Sequence, residues 1–177
     1  MTKKYIDNLK DYFYLSGSVA RYKYKKSIMV MLTEISETLP KIFEKENAEY
    51  APHDLDLIFI DKDNIKMVEK IKKEKHLEII QVKKDLIMLK DKKKELRIDI
   101  FICNKNNFYL YYLFTLLGKK INIILRKKSM KNGLLLNQYG LFDRETQIEI
   151  KIKYNNKKSI FYNIGLIIKK VYSFDCL

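Results

Sequence analysis

Three carboxylates stand in two runs of alternating apolar residues. Asp54 and Asp56 lie in His-Asp-Leu-Asp-Leu-Ile-Phe-Ile (residues 53 to 60), and Asp99 lies in Arg-Ile-Asp-Ile-Phe-Ile (residues 97 to 102). In an extended strand alternate side chains share a face, so Asp54 and Asp56 point one way while Leu55, Leu57 and Phe59 point the other. By the same rule Asp99 shares its face with Arg97 and Phe101, and Ile98, Ile100 and Ile102 turn to the opposite one. Two such strands side by side would gather three hard oxygen donors, the ligand type that holds Mg²⁺ against substrate phosphates. The plainer reading is a solvated acidic sheet face, common in a chain whose charged residues make up 33% of the total.

The elements that must position these residues follow from periodicity. Residues 3 to 15 begin amphipathic and turn aromatic at Tyr12, Phe13 and Tyr14, ending at Ser16-Gly17-Ser18. From Val19 to about Lys45, Ile28, Leu32, Ile35, Leu39, Ile42 and Phe43 recur at helical intervals, and Pro40 is expected to bend or divide that helix. A strand over 55–60 leads through Asp61-Lys62-Asp63-Asn64 to a basic helix at 65–73. Strands are predicted at 77–82, 86–90 and 96–102, with a turn at Asp91-Lys92-Lys93-Lys94. Helices follow at 108–117 and 119–130, with Gly133 closing the second. A hairpin pairs 134–138 with 147–153, and a short helix covers 159–166. The expected class is α+β: a mixed sheet flanked by helices, with a small helix-and-hairpin distal lobe. The change of character near Asn104 divides residues 1–104 from 105–177.

Composition narrows the partners. The 177 residues carry 36 Lys and Arg against 22 Asp and Glu, a formal charge of +14, and 47% are hydrophobic. A compact body with that surplus attracts polyanions by counterion release, and nucleic acid is the leading class. Solubility and a Lys-rich coding bias offer a plainer account of the same charge. Cys103 and Cys176 are the only thiols, which gives neither a disulfide framework nor a zinc spacing. His53 and His76 are isolated and receive no ligand role. The absence of an apolar signal core or an 18-residue apolar run predicts a soluble intracellular protein, cytoplasmic or, if viral, in the virion, with no membrane partner.

Three ordered motifs in the C-terminal third carry a resemblance. They are Asn122-Ile-Ile-Leu-Arg126; Leu134-Leu-Leu-Asn137-Gln-Tyr139-Gly140-Leu141; and Ser159-Ile-Phe161-Tyr-Asn-Ile-Gly165-Leu166. In that order they resemble the distal lobe of X-family DNA polymerases, which show a helix with Asn and Arg four apart, a Leu-Asn-Glu-Tyr-Gly-Leu hairpin and an Ile-Phe-x-x-Leu-Gly helix. The size, the lack of an N-terminal helical lyase domain and the Asp56 to Asp99 spacing look nearest to the minimal African swine fever virus type within that family. The resemblance implies a nucleotidyltransferase palm and a distal lobe that binds nucleotide and DNA.

The resemblance also implies roles. Asp54, Asp56 and Asp99 would bind two Mg²⁺ ions, with Mn²⁺ as the alternative, and Asp99 would assist removal of the primer hydroxyl proton. Arg97 matches the family's Arg-x-Asp and would orient Asp99; its plainer reading is a surface ion pair. Gly17-Ser18-Val19-Ala20-Arg21 looks like the family's Gly-Ser signature, so Gly17, Ser18 and Arg21 would hold the triphosphate. Here the chain departs from the pattern, because Ser18 and Asp54 lie 36 positions apart where the family places about ten. Either a long helical segment follows an authentic turn, or the turn is lost and this Gly-Ser is fortuitous. Asn47 to Pro52 resembles the strand that normally precedes the turn. Asn122 would reach the incoming nucleotide and Arg126 the template, and Phe114 is the nearest aromatic to the family's sugar-sensing turn. Lys119, Lys120, Lys127, Lys128 and Lys131 would contact duplex phosphates or, more plainly, form a solvated helix face. Tyr139 is expected to pack in the hairpin.

These readings point to a monomeric, template-directed DNA polymerase that transfers nucleotides from dNTPs to a primer 3′-hydroxyl in short-gap DNA repair. The alternatives are another nucleotidyltransferase, acting on RNA ends or on protein, and a catalytically inactive DNA-binding relative.

Overall fold

The computed structural model describes residues 13–48, 54–60 and 64–173. The amphipathic start, the stretch from 49 to His53, the turn at 61–63 and Cys176 lie outside the described residues.

The chain builds a five-stranded mixed sheet in the spatial order β1-β2-β5-β4-β3. These strands are β1 (Phe13–Ser16), β2 (Asp54–Ile60), β3 (Leu77–Val82), β4 (Leu86–Asp91) and β5 (Leu96–Cys103). β2 runs parallel to β5, and the other neighbours pair antiparallel. The class is α+β, as expected. The helices are α1 (Gly17–Lys23), α2 (Lys25–Thr33), α3 (Leu39–Glu46), α4 (Asn64–Lys72), α5 (Phe108–Leu116), α6 (Lys119–Lys131) and α7 (Ile160–Ser173). A separate hairpin joins β6 (Leu134–Asn137) to β7 (Gly140–Asp143).

Alternation along the strands sends their side chains into two cores. Leu55, Leu57, Phe59, Ile98 and Ile100 meet Met67 and Ile71 of α4 on one face. On the other face Ile58 and Cys103 join a larger core built from α1–α3 and α5–α7. Helix α5 is apolar almost all round, so it is buried on nearly every side, with Leu113 and Leu116 fully enclosed. That helical layer covers the C-terminal half of the β2 and β5 face. Asp54, Asp56 and Asp99 lie at the N-terminal half of the same face.

Three expectations need correction. The long helix over 19–45 is three helices: the chain breaks at Tyr24 and again over 34–38, and Pro40 sits in the first turn of α3. Proline's missing N–H costs nothing at a helix start, so Pro40 marks a beginning and the break falls before it. The hairpin strand paired with β6 is 140–143, and 147–153 forms only an isolated bridge from Glu149 to Phe142. Asn137 sets the tighter turn, its Oδ1 accepting from the backbone N–H of Tyr139 (2.8 Å) and Gly140 (3.1 Å). The last helix also runs on to Ser173.

Candidate active site

Parallel register places Asp56 opposite Asp99 and Asp54 opposite Arg97. The result is a cluster in which one carboxylate oxygen from each of Asp54, Asp56 and Asp99 lies within 4.8 Å of the others. Among the described residues it is the one group of three or more His, Cys, Asp or Glu side chains close enough to share a cation. Asp99 is buried, and Asp54 and Asp56 are half-buried. Burial first, then the charges of Asp54 and Asp99, push the Asp56 carboxyl up to about 6. Arg97 grips Asp99 with both ends of its fork, Nε to Oδ1 at 2.9 Å and Nη2 to Oδ2 at 2.7 Å. This bidentate pair fixes the carboxylate plane, and the guanidinium keeps its charge, its pKa held above the ordinary value chiefly by that hydrogen bond.

The Gly-Ser turn arrives from the other side of β2. Ser16 pairs in register with Asp56, and Gly17 follows at φ 63°, a left-handed conformation suited to glycine. A Cβ on Gly17 would stand 1.8 Å from Asp56 Oδ2, so the backbone lies directly against the carboxylate. Strand pairing thus brings the Gly17 backbone against β2 across the 36-residue separation in sequence. The Oγ of Ser18 is buried and has no hydrogen-bond partner. A group of three carboxylate oxygens within 4.8 Å of one another, with the Gly17 backbone against one of them, is a hard-oxygen donor set of the kind that holds a divalent cation. The residues present therefore suit a divalent ion.

Arg21 is tethered. Its Nε donates to Asn47 Oδ1 (2.7 Å), and Nη1 donates to the carbonyls of Leu116 (3.2 Å) and Thr115 (3.4 Å). Burial lowers its pKa, while the carboxylates of Glu46, Asp56 and Asp54 oppose that shift, in this order.

On the helical side Phe114, Asn122 and Arg126 meet. The Arg126 guanidinium lies 4.7 Å from the Phe114 ring centroid. Asn122 Nδ2 donates to the Phe114 carbonyl at 2.7 Å, while its Oδ1 is buried without a partner. Lys119, Lys120, Lys127 and Lys131 are exposed along α6, and Lys128 leans over the Tyr172 ring. Tyr139, expected to pack in the hairpin, is exposed; its hydroxyl donates to Asp85 Oδ2 (3.0 Å), which also accepts from Tyr111 (2.6 Å).

Sequence reasoning missed Ser16, Glu46, Asn47, Asp85 and Thr115. Thr115 joins the two sides, because its Oγ1 shares a short hydrogen bond with Ser16 Oγ and donates to the Tyr111 carbonyl at 2.9 Å. The bond to the Tyr111 carbonyl is local to α5, whereas the bond between Ser16 and Thr115 joins residues far apart in the chain, and no local spacing signals it.

No protein-family model and no curated protein matches the chain. Among solved structures, the ternary gap complex of polymerase beta from Leishmania infantum is similar over 73% of this chain and 51% of that one, with 18% identity and a TM-score of 0.46. The chain thus spans about half the length of that neighbour.

Proposed function

We propose that this chain is a small DNA polymerase of the X-family type, adding nucleotides from dNTPs to a primer 3′-hydroxyl in gapped DNA under template direction, with two Mg²⁺ or Mn²⁺ ions. The observation that carries this reading is the convergence of Asp54, Asp56 and Asp99 on the sheet face against which the Gly17–Ser18 turn packs. Residues 1–104 act as the catalytic palm and 105–177 as the nucleotide- and DNA-binding lobe.

The reaction is an in-line displacement. The 3′-oxygen bonds to the α-phosphorus, the bond to the bridging oxygen breaks, and pyrophosphate leaves with its electron pair. When bound, paired divalent ions stabilise the attacking and leaving oxygens together. Asp54, Asp56 and Asp99 would hold the divalent ions, and Asp99 would take up the hydroxyl proton at a carboxylate oxygen. Arg97 keeps that carboxylate aligned. Backbone N–H groups at the start of α1 and the Ser18 hydroxyl face the triphosphate, Asn122 the nucleotide, and Arg126 the template. Exposed α6 lysines contact phosphates without reading sequence.

Primer extension on gapped DNA, with and without template, in Mg²⁺ or Mn²⁺, tests this reading. Templated dNTP addition is expected. Untemplated or ribonucleotide addition would assign the site to another nucleotidyltransferase activity, and tight DNA binding without product would make the chain an inactive relative.

A further inference from the structure

Two consecutive residues at the end of α3 tie together three elements that carry different parts of the site. The Glu46 carboxylate accepts the backbone N–H of Lys120 at 3.0 and 3.2 Å and so caps the start of α6. An acidic group there meets the positive end of the helix. Gly118 makes room for it: at φ 82° it lies so close that a Cβ would stand 3.0 Å from Glu46 Oε2. Asn47 accepts from Arg21 Nε at 2.7 Å and is itself held by donating Nδ2 to the Phe43 carbonyl at 2.8 Å. Arg21 then reaches on to the carbonyls of Thr115 and Leu116. Those are last-turn carbonyls of α5, which need donors from outside the helix.

The knot therefore links α1, which opens with the Gly17–Ser18 turn, to the end of α5, which carries Phe114, and to the start of α6, which carries Asn122 and Arg126. We propose that Glu46 and Asn47 are positioning residues that set the spacing between the Gly17–Ser18 turn and the Asn122–Arg126 side of α6. On the polymerase reading, on which this inference rests, that spacing is the distance from the triphosphate to the base and sugar of one nucleotide. Directional bonds to a helix terminus fix its axial position, and a site whose two ends are held at the right spacing binds a nucleotide more tightly because that order is already in place.

The test is steady-state nucleotide incorporation on gapped DNA by the full chain, with thermal stability and Mn²⁺ affinity measured in parallel. Glu46→Ala is expected to raise the half-saturating dNTP concentration about tenfold while leaving kcat within about threefold. Mn²⁺ affinity should hold, because the three aspartates are untouched. Glu46→Gln, which keeps an oxygen for Lys120, should fall between Glu46→Ala and wild type. Asn47→Asp, which keeps the acceptor for Arg21, should rescue the loss seen in Asn47→Ala. An unchanged half-saturating concentration in Glu46→Ala overturns the proposal, as does a loss of kcat that merely follows a loss of stability. If the wild type adds no nucleotide, the polymerase reading fails separately. Equilibrium binding of a fluorescent deoxynucleoside triphosphate in Mn²⁺ then decides this one: about tenfold weaker binding by Glu46→Ala sustains it, and equal affinity, or no binding by the wild type, overturns it.

Discussion

The sheet half and the helical half of the proposed site differ in how their polar groups are satisfied. In the sheet, strand register forces three like charges to within 4.8 Å, and among the described residues only Asp99 has a full counter-ion, in Arg97. On the helices, Phe114 lies under Arg126 and Asn122 already bonds to a neighbouring carbonyl, with one oxygen left over. The first half holds electrostatic repulsion that a cation would relieve. The second is nearly complete as it stands. A rigid backbone can impose repulsion because β2 and β5 are buried on one face along their whole length and cannot slip without inverting every side chain. The helices are placed by hydrogen bonds between their ends, which leave the polar groups free to pair with one another.

Asp56→Asn breaks this contrast most directly. Removing the carboxylate most crowded by its neighbours should abolish nucleotide addition, a loss of roughly a thousandfold or more. The same change should stabilise the metal-free protein at neutral pH, on the order of 1 kcal/mol after allowing for solvent screening. Extension assays read the first effect and thermal melting without metal the second. A destabilised variant would show that the three charges do not repel.

Gly17→Ala comes next. The new Cβ would have to displace Asp56 or the turn, and the left-handed backbone adds strain. Mn²⁺ affinity is expected to fall by about a hundredfold, measured by titration calorimetry, with a loss of stability on the order of 1 to 3 kcal/mol. Wild-type affinity would place the carboxylate away from the turn.

Acidification is a milder probe of the same crowding. The folded Asp56 carboxyl titrates at about 6, above the ordinary 3.8, so between those values the folded protein holds a proton that the unfolded chain has released. The metal-free protein accordingly loses stability as pH rises through that window, and the full penalty persists above it. Because a cation competes with this proton, metal affinity should drop about tenfold from pH 7 to pH 5, with proton release on binding. Calorimetry in buffers of different ionisation enthalpy measures both.

The same division marks what the sequence makes legible. Alternation plus turn residues places strands at 77–82, 86–90 and 96–102, against observed strands at 77–82, 86–91 and 96–103, and puts Asp54, Asp56 and Asp99 on one face. Strand alternation is a local code, and parallel pairing only has to bring two such codes together. Between Gly17 and Glu46 the code fails. Apolar residues keep helical spacing across breaks at Tyr24 and 34–38 because all three helices bury one side in the same core. Periodicity reports the shared core and is silent about the breaks. The bonds from Arg21 to Asn47 and from Ser16 to Thr115 depend on that three-dimensional path, and no spacing in the chain announces them.

Asn122 offers the smallest and most discriminating test. Truncating a buried, hydrogen-bonded Asn ordinarily costs stability, because a partner is left unpaired. Here Asn122→Ala loses the bond to the Phe114 carbonyl but also removes a buried oxygen that has no partner at all. The two terms oppose, so the change in unfolding free energy should stay within about 1 kcal/mol. Function should respond more. If that oxygen waits for a donor on the nucleotide, the half-saturating dNTP concentration rises severalfold while metal affinity and stability hold, a split that denaturant titration and incorporation kinetics resolve. A variant less stable by several kcal/mol with an unchanged half-saturating concentration would make Asn122 a packing residue, and the helical half of the site would then be complete without a substrate.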